Sequence, residues 1–139
     1  MLKHIDPIIS PKLIKILMEM GHGDEIVIAD GNFPSASHTQ NCVRADGHSV
    51  KSLLKAILTL MPLDTYVNHP IALMLNGPEI ERPEIWGHFE KIVIEENNEY
   101  NPEYLERFEF YKRAQNAYAI VATSEKQLYA NIILKKGVI

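Results

Sequence analysis

Apolar positions along this chain fall into two alternating rhythms, and the alternation predicts the fold. Leu13, Leu17 and Met20 recur at helical spacing behind Ser10-Pro11, an N-cap followed by the proline favoured in a first turn, and Gly21 stops the run. A helix is predicted over residues 11–20. Residues 25–30 then carry Ile26-Val27-Ile28 in an unbroken apolar run, too short and too β-branched for a helix, as expected of a strand covered on both faces. Gly31-Asn32-Phe33-Pro34-Ser35-Ala36-Ser37 reads as a loop leading to a short strand at 42–44, and Asp46-Gly47 marks a turn. Val50, Leu53, Leu54, Ile57, Leu58 and Met61 give a second amphipathic helix, ended by Pro62.

The second half repeats the alternation. Residues 71–75 return to strand. Pro83-Glu84 opens a third helix with Ile85, Phe89, Ile92 and Val93 facing inward and Trp86 at an edge, weakened at Gly87 by about 1 kcal/mol relative to alanine. Residues 97–102 read as a polar loop, 105–117 as a fourth helix, 119–122 as a strand and 131–134 as the last strand. Helices alternating with short apolar strands indicate an α/β fold: a three-layer α/β/α single domain over 1–139 with a mixed, mostly buried sheet.

Composition narrows the function. The 139 residues are 46% hydrophobic and 23% charged, ordinary for a globular protein. Fourteen basic against eighteen acidic residues give a net charge of −4, and no stretch concentrates Lys and Arg, which argues against a nucleic-acid partner. Apolar runs such as Ile71-Ala72-Leu73-Met74-Leu75 fall far short of the roughly 18 residues of a membrane span. The opening residues lack the apolar region of a secretory signal, and the single Cys42 cannot form an internal disulfide, so a cytoplasmic location is expected.

One stretch carries candidate chemistry. In Gly21-His22-Gly23-Asp24, bare glycines flank a histidine that leads into a strand ending on Asp30. Such flanks let a ligand approach the imidazole, the side chain best suited to proton transfer near neutral pH. An ordinary turn after a helix end explains this segment equally well. Asp30 stands at a strand's carboxyl end, where α/β sheets hold ligands, and its carboxylate can accept hydrogen bonds from hydroxyls; a turn aspartate is its plainer reading. A metal site is disfavoured, because His4, His22, His38, His48, His69 and His88 include no His-x3-His or His-Glu-x-x-His, leaving only His22-x-Asp24. A phosphate loop is discarded for want of Gly-Lys-Ser/Thr.

Several motifs taken together are more specific. Ile9-Ser10-Pro11, Met20-Gly21-His22-Gly23-Asp24-Glu25, Asp30-Gly31-Asn32-Phe33-Pro34, Arg44-Ala45-Asp46-Gly47, Arg107-Phe108-Glu109-Phe110-Tyr111, Arg113-Ala114-Gln115 and the stretch from Tyr129-Ala130-Asn131 to Gly137-Val138 stand in order along the chain. In them the chain resembles the L-fucose mutarotase and D-ribose pyranase family, from the first ten residues to the last ten and most weakly over 61–101. The resemblance implies an isomerase without cofactor or metal that opens and recloses the hemiacetal of a free monosaccharide, working as a homodecamer of two stacked five-membered rings. It implies His22 as proton donor, Asp30 and Arg107 as sugar-binding residues, and Tyr129 and Asn131 as the rest of the site.

The residue types suit those roles. Arg107 presents a fixed fork of donors, although a solvated helix charge is the commoner reading of such a residue. Tyr129 offers an aromatic body with a phenol, and Asn131 an amide. Tyr129-Ala130-Asn131 carries the alanine common in ribose pyranases where mutarotases typically have glycine, and Asn32 replaces a histidine of some members. Arg107-Phe108 with Phe110-Tyr111 and Arg113-Ala114-Gln115 is closer to the fucose type, so L-fucose is the expected substrate. A D-ribose pyranase and a monosaccharide-binding module without turnover are the alternatives. Ile132-Ile133-Leu134 and the cluster Phe108, Phe110, Tyr111 offer apolar surface either for neighbouring subunits or for the chain's own core.

Overall fold

The computed structural model of the protein describes residues 1–77 and 81–139. Within them the helices are α1 (Pro11–Glu19), α2 (Ser35–His38), α3 (Val50–Leu58), α4 (Glu84–Glu95) and α5 (Arg107–Asn116). The strands are β1 (Glu25–Ala29), β2 (Cys42–Ala45), β3 (Ile71–Met74), β4 (Pro102–Leu105), β5 (Ala119–Thr123) and β6 (Ile132–Lys135). They form one sheet in the order β2-β5-β1-β6-β3-β4. β2 and β1 run parallel to β5, and β3 parallel to β4. β6 runs antiparallel to both β1 and β3 and so joins the two parallel halves into the expected mixed sheet.

The period-2 alternation of side chains in the central strands divides the core into two layers. Ile26 and Ile28 of β1, with Ile132 and Leu134 of β6, pack against Leu13, Leu53, Ile57 and Phe89 of α1, α3 and α4. Val27, Ala29 and Ile133 turn the other way, against Phe110 and Ala114 of α5. Both faces of β1 are therefore covered, which is why its sequence is apolar throughout. Ser10 caps α1 by accepting the Leu13 N–H, as its sequence suggests, and Ser49 caps α3 through Ser52.

Several elements differ from the sequence expectation. Residues 102–105 form an edge strand where a loop and a helix start were expected; Pro102 tolerates that place because a proline at a strand's first residue sacrifices little of the ladder. The fourth long helix accordingly begins at Arg107 rather than 105. One turn of helix, α2, starts inside the predicted loop at 31–37 and ends one residue past it, and the last strand is shifted by one residue to Ile132–Lys135. Trp86 packs on the Tyr104 ring of the edge strand β4 and is buried there. Ile132, Ile133 and Leu134 are wholly internal, so the C-terminal apolar run belongs to the chain's own core.

After β6 the backbone passes hard against the segment that precedes β3. The Gly137 N–H donates to the Pro62 carbonyl at 2.8 Å, and a Cβ on residue 137 would lie 2.4 Å from the Leu63 carbonyl oxygen. Backbone cannot yield as a flexible side chain can, so Gly137→Ala is expected to cost about 2–3 kcal/mol, read as a lower urea midpoint with unchanged slope. The same substitution displaces Leu63 and its neighbour Asp64, a residue that matters below.

Because β1 to β5 all point one way and β6 the other, the carboxyl ends of five strands and the start of β6 share one edge of the sheet. The loops entering β1 and β3 share the opposite edge.

Candidate active site: a pocket and a histidine on opposite edges

At the carboxyl edge, where open α/β sheets usually take ligands, lies a cavity of about 290 Å³. Asp30 from the end of β1, Arg107 from the start of α5, and Tyr129 and Asn131 from the approach to β6 all line it. Phe33, Met74, Tyr111 and Leu128 add apolar wall, and Asn32 adds an amide. The structure thus brings four of the five sequence candidates together within one chain.

Asp30 is the fixed centre of the cavity. It is 5% exposed, and its carboxylate accepts hydrogen bonds from the Asn32 backbone N–H at 3.0 Å and from Asn131 Nδ2 at 2.9 Å. Asn131 Oδ1 in turn accepts the Asp30 backbone N–H at 2.8 Å. Both ends of the Asn131 amide are therefore spent on Asp30, and Asn131 holds the carboxylate in place more than it offers itself to a ligand. Burial pushes the Asp30 carboxyl above its ordinary value, and hydrogen bonds from Asn32, Asn131, Phe33 and Ala130 pull part of the way back. Tyr129 adopts a φ of +58°, the left-handed region that a bulky residue seldom enters. That turn lets its half-buried ring join the wall while Ala130 and Asn131 dive into the core.

Arg107 is exposed at the mouth. Its Nε–H donates to Tyr111 Oη at 3.2 Å, and its guanidinium carbon lies 5.4 Å and 5.5 Å from the ring centres of Tyr111 and Phe108. Phe108 is solvent-facing, whereas Phe110 is fully buried, so the aromatic cluster read from the sequence divides between surface and core.

His22 is elsewhere. It lies in the turn before β1, whose five residues span roughly 13 Å, and therefore on the opposite edge from Asp30. There its Nε2 stands 3.1 Å from Asp64 Oδ1, with the His22 side chain 44% exposed and that of Asp64 3%. The Tyr66 backbone N–H donates to the same Asp64 oxygen at 2.9 Å. That bond, followed by the one from His22, holds the Asp64 carboxyl below its ordinary value against the opposing effect of burial. An ionised carboxylate only accepts, so Nε2 carries the proton toward Asp64 and Nδ1 is left on the far side of the ring. The Tyr66 ring packs 5.4 Å from the imidazole. Asp24, the neighbour that suggested a metal pair, instead accepts the Gly21 N–H at 2.7 Å. Among the described residues no three His, Cys, Asp or Glu side chains converge as a metal site.

Sequence reasoning missed Asp64, Tyr111 as a partner of Arg107, and the wall residues Met74 and Leu128. The only signal at Asp64 is an aspartate two residues before Tyr66 in a loop, which reads as a turn. Arg113, part of a quoted motif, binds both Glu25 and Glu103 and so ties α5 to β1 and β4 instead of entering the pocket.

Fold and cavity define a class: a three-layer α/β protein that presents a small pocket of carboxylate, amide, guanidinium and aromatic groups at the carboxyl edge of its sheet, suited to a compact polyhydroxylated ligand. The chain belongs to the RbsD / FucU transport protein family, which it matches over residues 3–139. It is 49% identical to fucose mutarotase from Mus musculus, over 98% of this chain and 94% of the relative. It is 46% identical to L-fucose mutarotase from Haemophilus influenzae, over 99% and 97%. The structure superposes on the fucose mutarotase of Streptococcus pneumoniae in complex with L-fucose with a TM-score of 0.95 at 52% identity, covering 99% of each chain. Bacillus subtilis RbsD complexed with D-ribose is more distant, with a TM-score of 0.77 at 26% identity over 100% and 99%. Among the described residues no helix is long and apolar enough to cross a membrane.

Proposed function

We propose that this chain is an L-fucose mutarotase that interconverts the α and β anomers through the open-chain aldehyde. The observation that carries the reading is the Asp30–Asn131 clamp with Arg107 and Tyr129 around one cavity of about 290 Å³, near the lower limit of ligand pockets and so matched to a monosaccharide. The high identity to fucose mutarotases, against 26% to the D-ribose complex, favours L-fucose. Opening the ring takes a proton from the anomeric hydroxyl and gives one to the ring oxygen. The C1–O5 bond breaks and C1=O1 forms. Reclosure on the other face of C1 reverses the transfers. Only protons move, so the reaction consumes no oxidant or reductant.

In this reading Asp30 accepts sugar hydroxyls, Arg107 donates to them, and Tyr129 stacks on the sugar's apolar side. His22 is the proton donor. Since it stands on the opposite edge of its own chain, it reaches the pocket of a partner subunit, with Nδ1 as the reacting nitrogen and Asp64 fixing the ring. The surface supports such an arrangement. Leu128 and Phe108 are exposed at the pocket edge, and Tyr66 and Val67 beside His22 at the other. One edge meeting the opposite edge of the next copy is a head-to-tail contact, which closes into a ring when the rotation between copies divides a full turn. Two five-membered rings stacked as a decamer, working in the cytoplasm, complete the proposal.

Saturation-transfer NMR of anomeric exchange, run separately on L-fucose and D-ribose, tests it. Faster exchange of L-fucose than of D-ribose is expected; no acceleration of either sugar by folded protein would leave only a binding module. Sedimentation at the 15.8 kDa of a single chain would overturn the shared site.

A further inference from the structure

Gly21 and Gly23 flank His22 and supply no side chain to restrain it, and Gly23 adopts a φ of +85°, which glycine enters at no steric cost. Left to itself, such a turn would carry the imidazole through many positions, and that freedom would have to be given up at each proton transfer. The structure restrains the turn from outside. Lys136, half-buried just after β6, donates from Nζ to the Leu17 carbonyl at 2.7 Å and to the Met20 carbonyl at 2.5 Å. Those carbonyls close α1, which has no basic residue of its own in its last turn, and the Met20 peptide leads directly into Gly21. The Lys136 backbone holds the far side of the turn. Its carbonyl accepts the Gly23 N–H at 2.8 Å, and its N–H donates to the Asp24 carbonyl at 2.9 Å.

The same residue faces the Asp64 segment. Lys136 bridges to Leu63, the Lys135 carbonyl accepts the Asp64 N–H at 3.0 Å, and the Gly137 N–H donates to the Pro62 carbonyl. Both partners of the His22–Asp64 contact thus hang on three consecutive residues. We propose that Lys136 is a positioning residue for His22: its ammonium and its peptide groups together fix the glycine-flanked turn, so that the imidazole stays on Asp64 with Nδ1 free to react. The proposal rests on the mutarotase reading with His22 as proton donor, and it deepens that reading. Lys136→Met keeps the apolar stem and removes the Nζ donors, whereas Lys136→Arg keeps donors and charge.

Turnover and backbone relaxation test it together. In Lys136→Met, kcat for L-fucose is expected to fall about tenfold with KM within about twofold, and Lys136→Arg should recover most of that loss. In a His22→Ala background Lys136→Met is expected to lower the residual rate no further. Nitrogen relaxation should show the Gly21, His22 and Gly23 amides as ordered as those of β1 in the unaltered protein, and looser in Lys136→Met. A Lys136→Met protein with full kcat, or one whose loss persists with His22 absent, would overturn the proposal. So would a turn already mobile in the unaltered protein, a result that needs no variant to fold. The relaxation data decide even if neither sugar is turned over, so failure of the proposal and failure of the mutarotase reading are separable.

Discussion

Replacing His22 with alanine is expected to slow L-fucose anomer exchange by about two to four orders of magnitude while leaving sugar affinity within about threefold. The split follows from position. Affinity resides in the cavity around Asp30, and His22 lies across the sheet from it, half-exposed beside Asp64 and Tyr66. Loss of an exposed imidazole disturbs little packing, so the fold should survive. The same geometry makes a sharper forecast. If the acid of each site comes from a partner subunit, His22→Ala and Asp30→Asn proteins, each impaired alone, should exceed the mean of their separate activities when refolded together. With random assembly, about one site in four then pairs an intact Asp30 with an intact His22 across a head-to-tail contact. Mixed assemblies that form but do not exceed that mean would sink the shared site, and a His22→Ala protein with full rate would remove His22 from the chemistry.

The comparison of sequence with structure turns on which contacts are local. The helices α1, α3 and α4 and the strand β1 were legible because their signals lie within a few residues: Ser10-Pro11 before a spaced apolar face, Val50 to Met61 at the same spacing, Ile26-Val27-Ile28 unbroken. β4 was not, since Pro102-Glu103-Tyr104-Leu105 lacks the apolar density of a buried strand and owes its conformation to pairing with β3. The candidate residues were legible as chemistry but not as a constellation. Asp30 and Asn131 are 101 residues apart and meet only because β6 inserts antiparallel beside β1, a register no single segment specifies. Asp64 reaches His22 over 42 residues for a similar reason, through the segment that bridges to Lys136. The sequence placed His22 and Asp30 on one short stretch, and the strand between them carries them to opposite edges.

Asp30→Asn is expected to move activity and stability in opposite directions. Activity should fall about 10- to 100-fold, because an amide accepts sugar hydroxyls without charge and offers one acceptor oxygen where the carboxylate has two. Stability at pH 7 should hold or rise, by up to about 1 kcal/mol or about 3 °C in Tm. The reason is the direction of the Asp30 shift. Burial raises its carboxyl above 3.8, the value it returns to when exposed, despite the hydrogen bonds from Asn32 and Asn131. A group with a raised folded value contributes its stability below the unfolded value and loses it as pH climbs through the folded one. Ionised Asp30 is therefore a cost at neutral pH, held in place because the pocket needs an anion there. The stability gap between the two proteins should narrow as pH falls from 7 toward 4, where the unaltered carboxyl takes up its proton and the cost disappears. Thermal melts of both proteins across that range are the measurement. An Asp30→Asn protein clearly less stable at pH 7 would mean that the clamp with Asn131 outweighs the burial of charge, and that Asp30 is kept for the fold before the sugar.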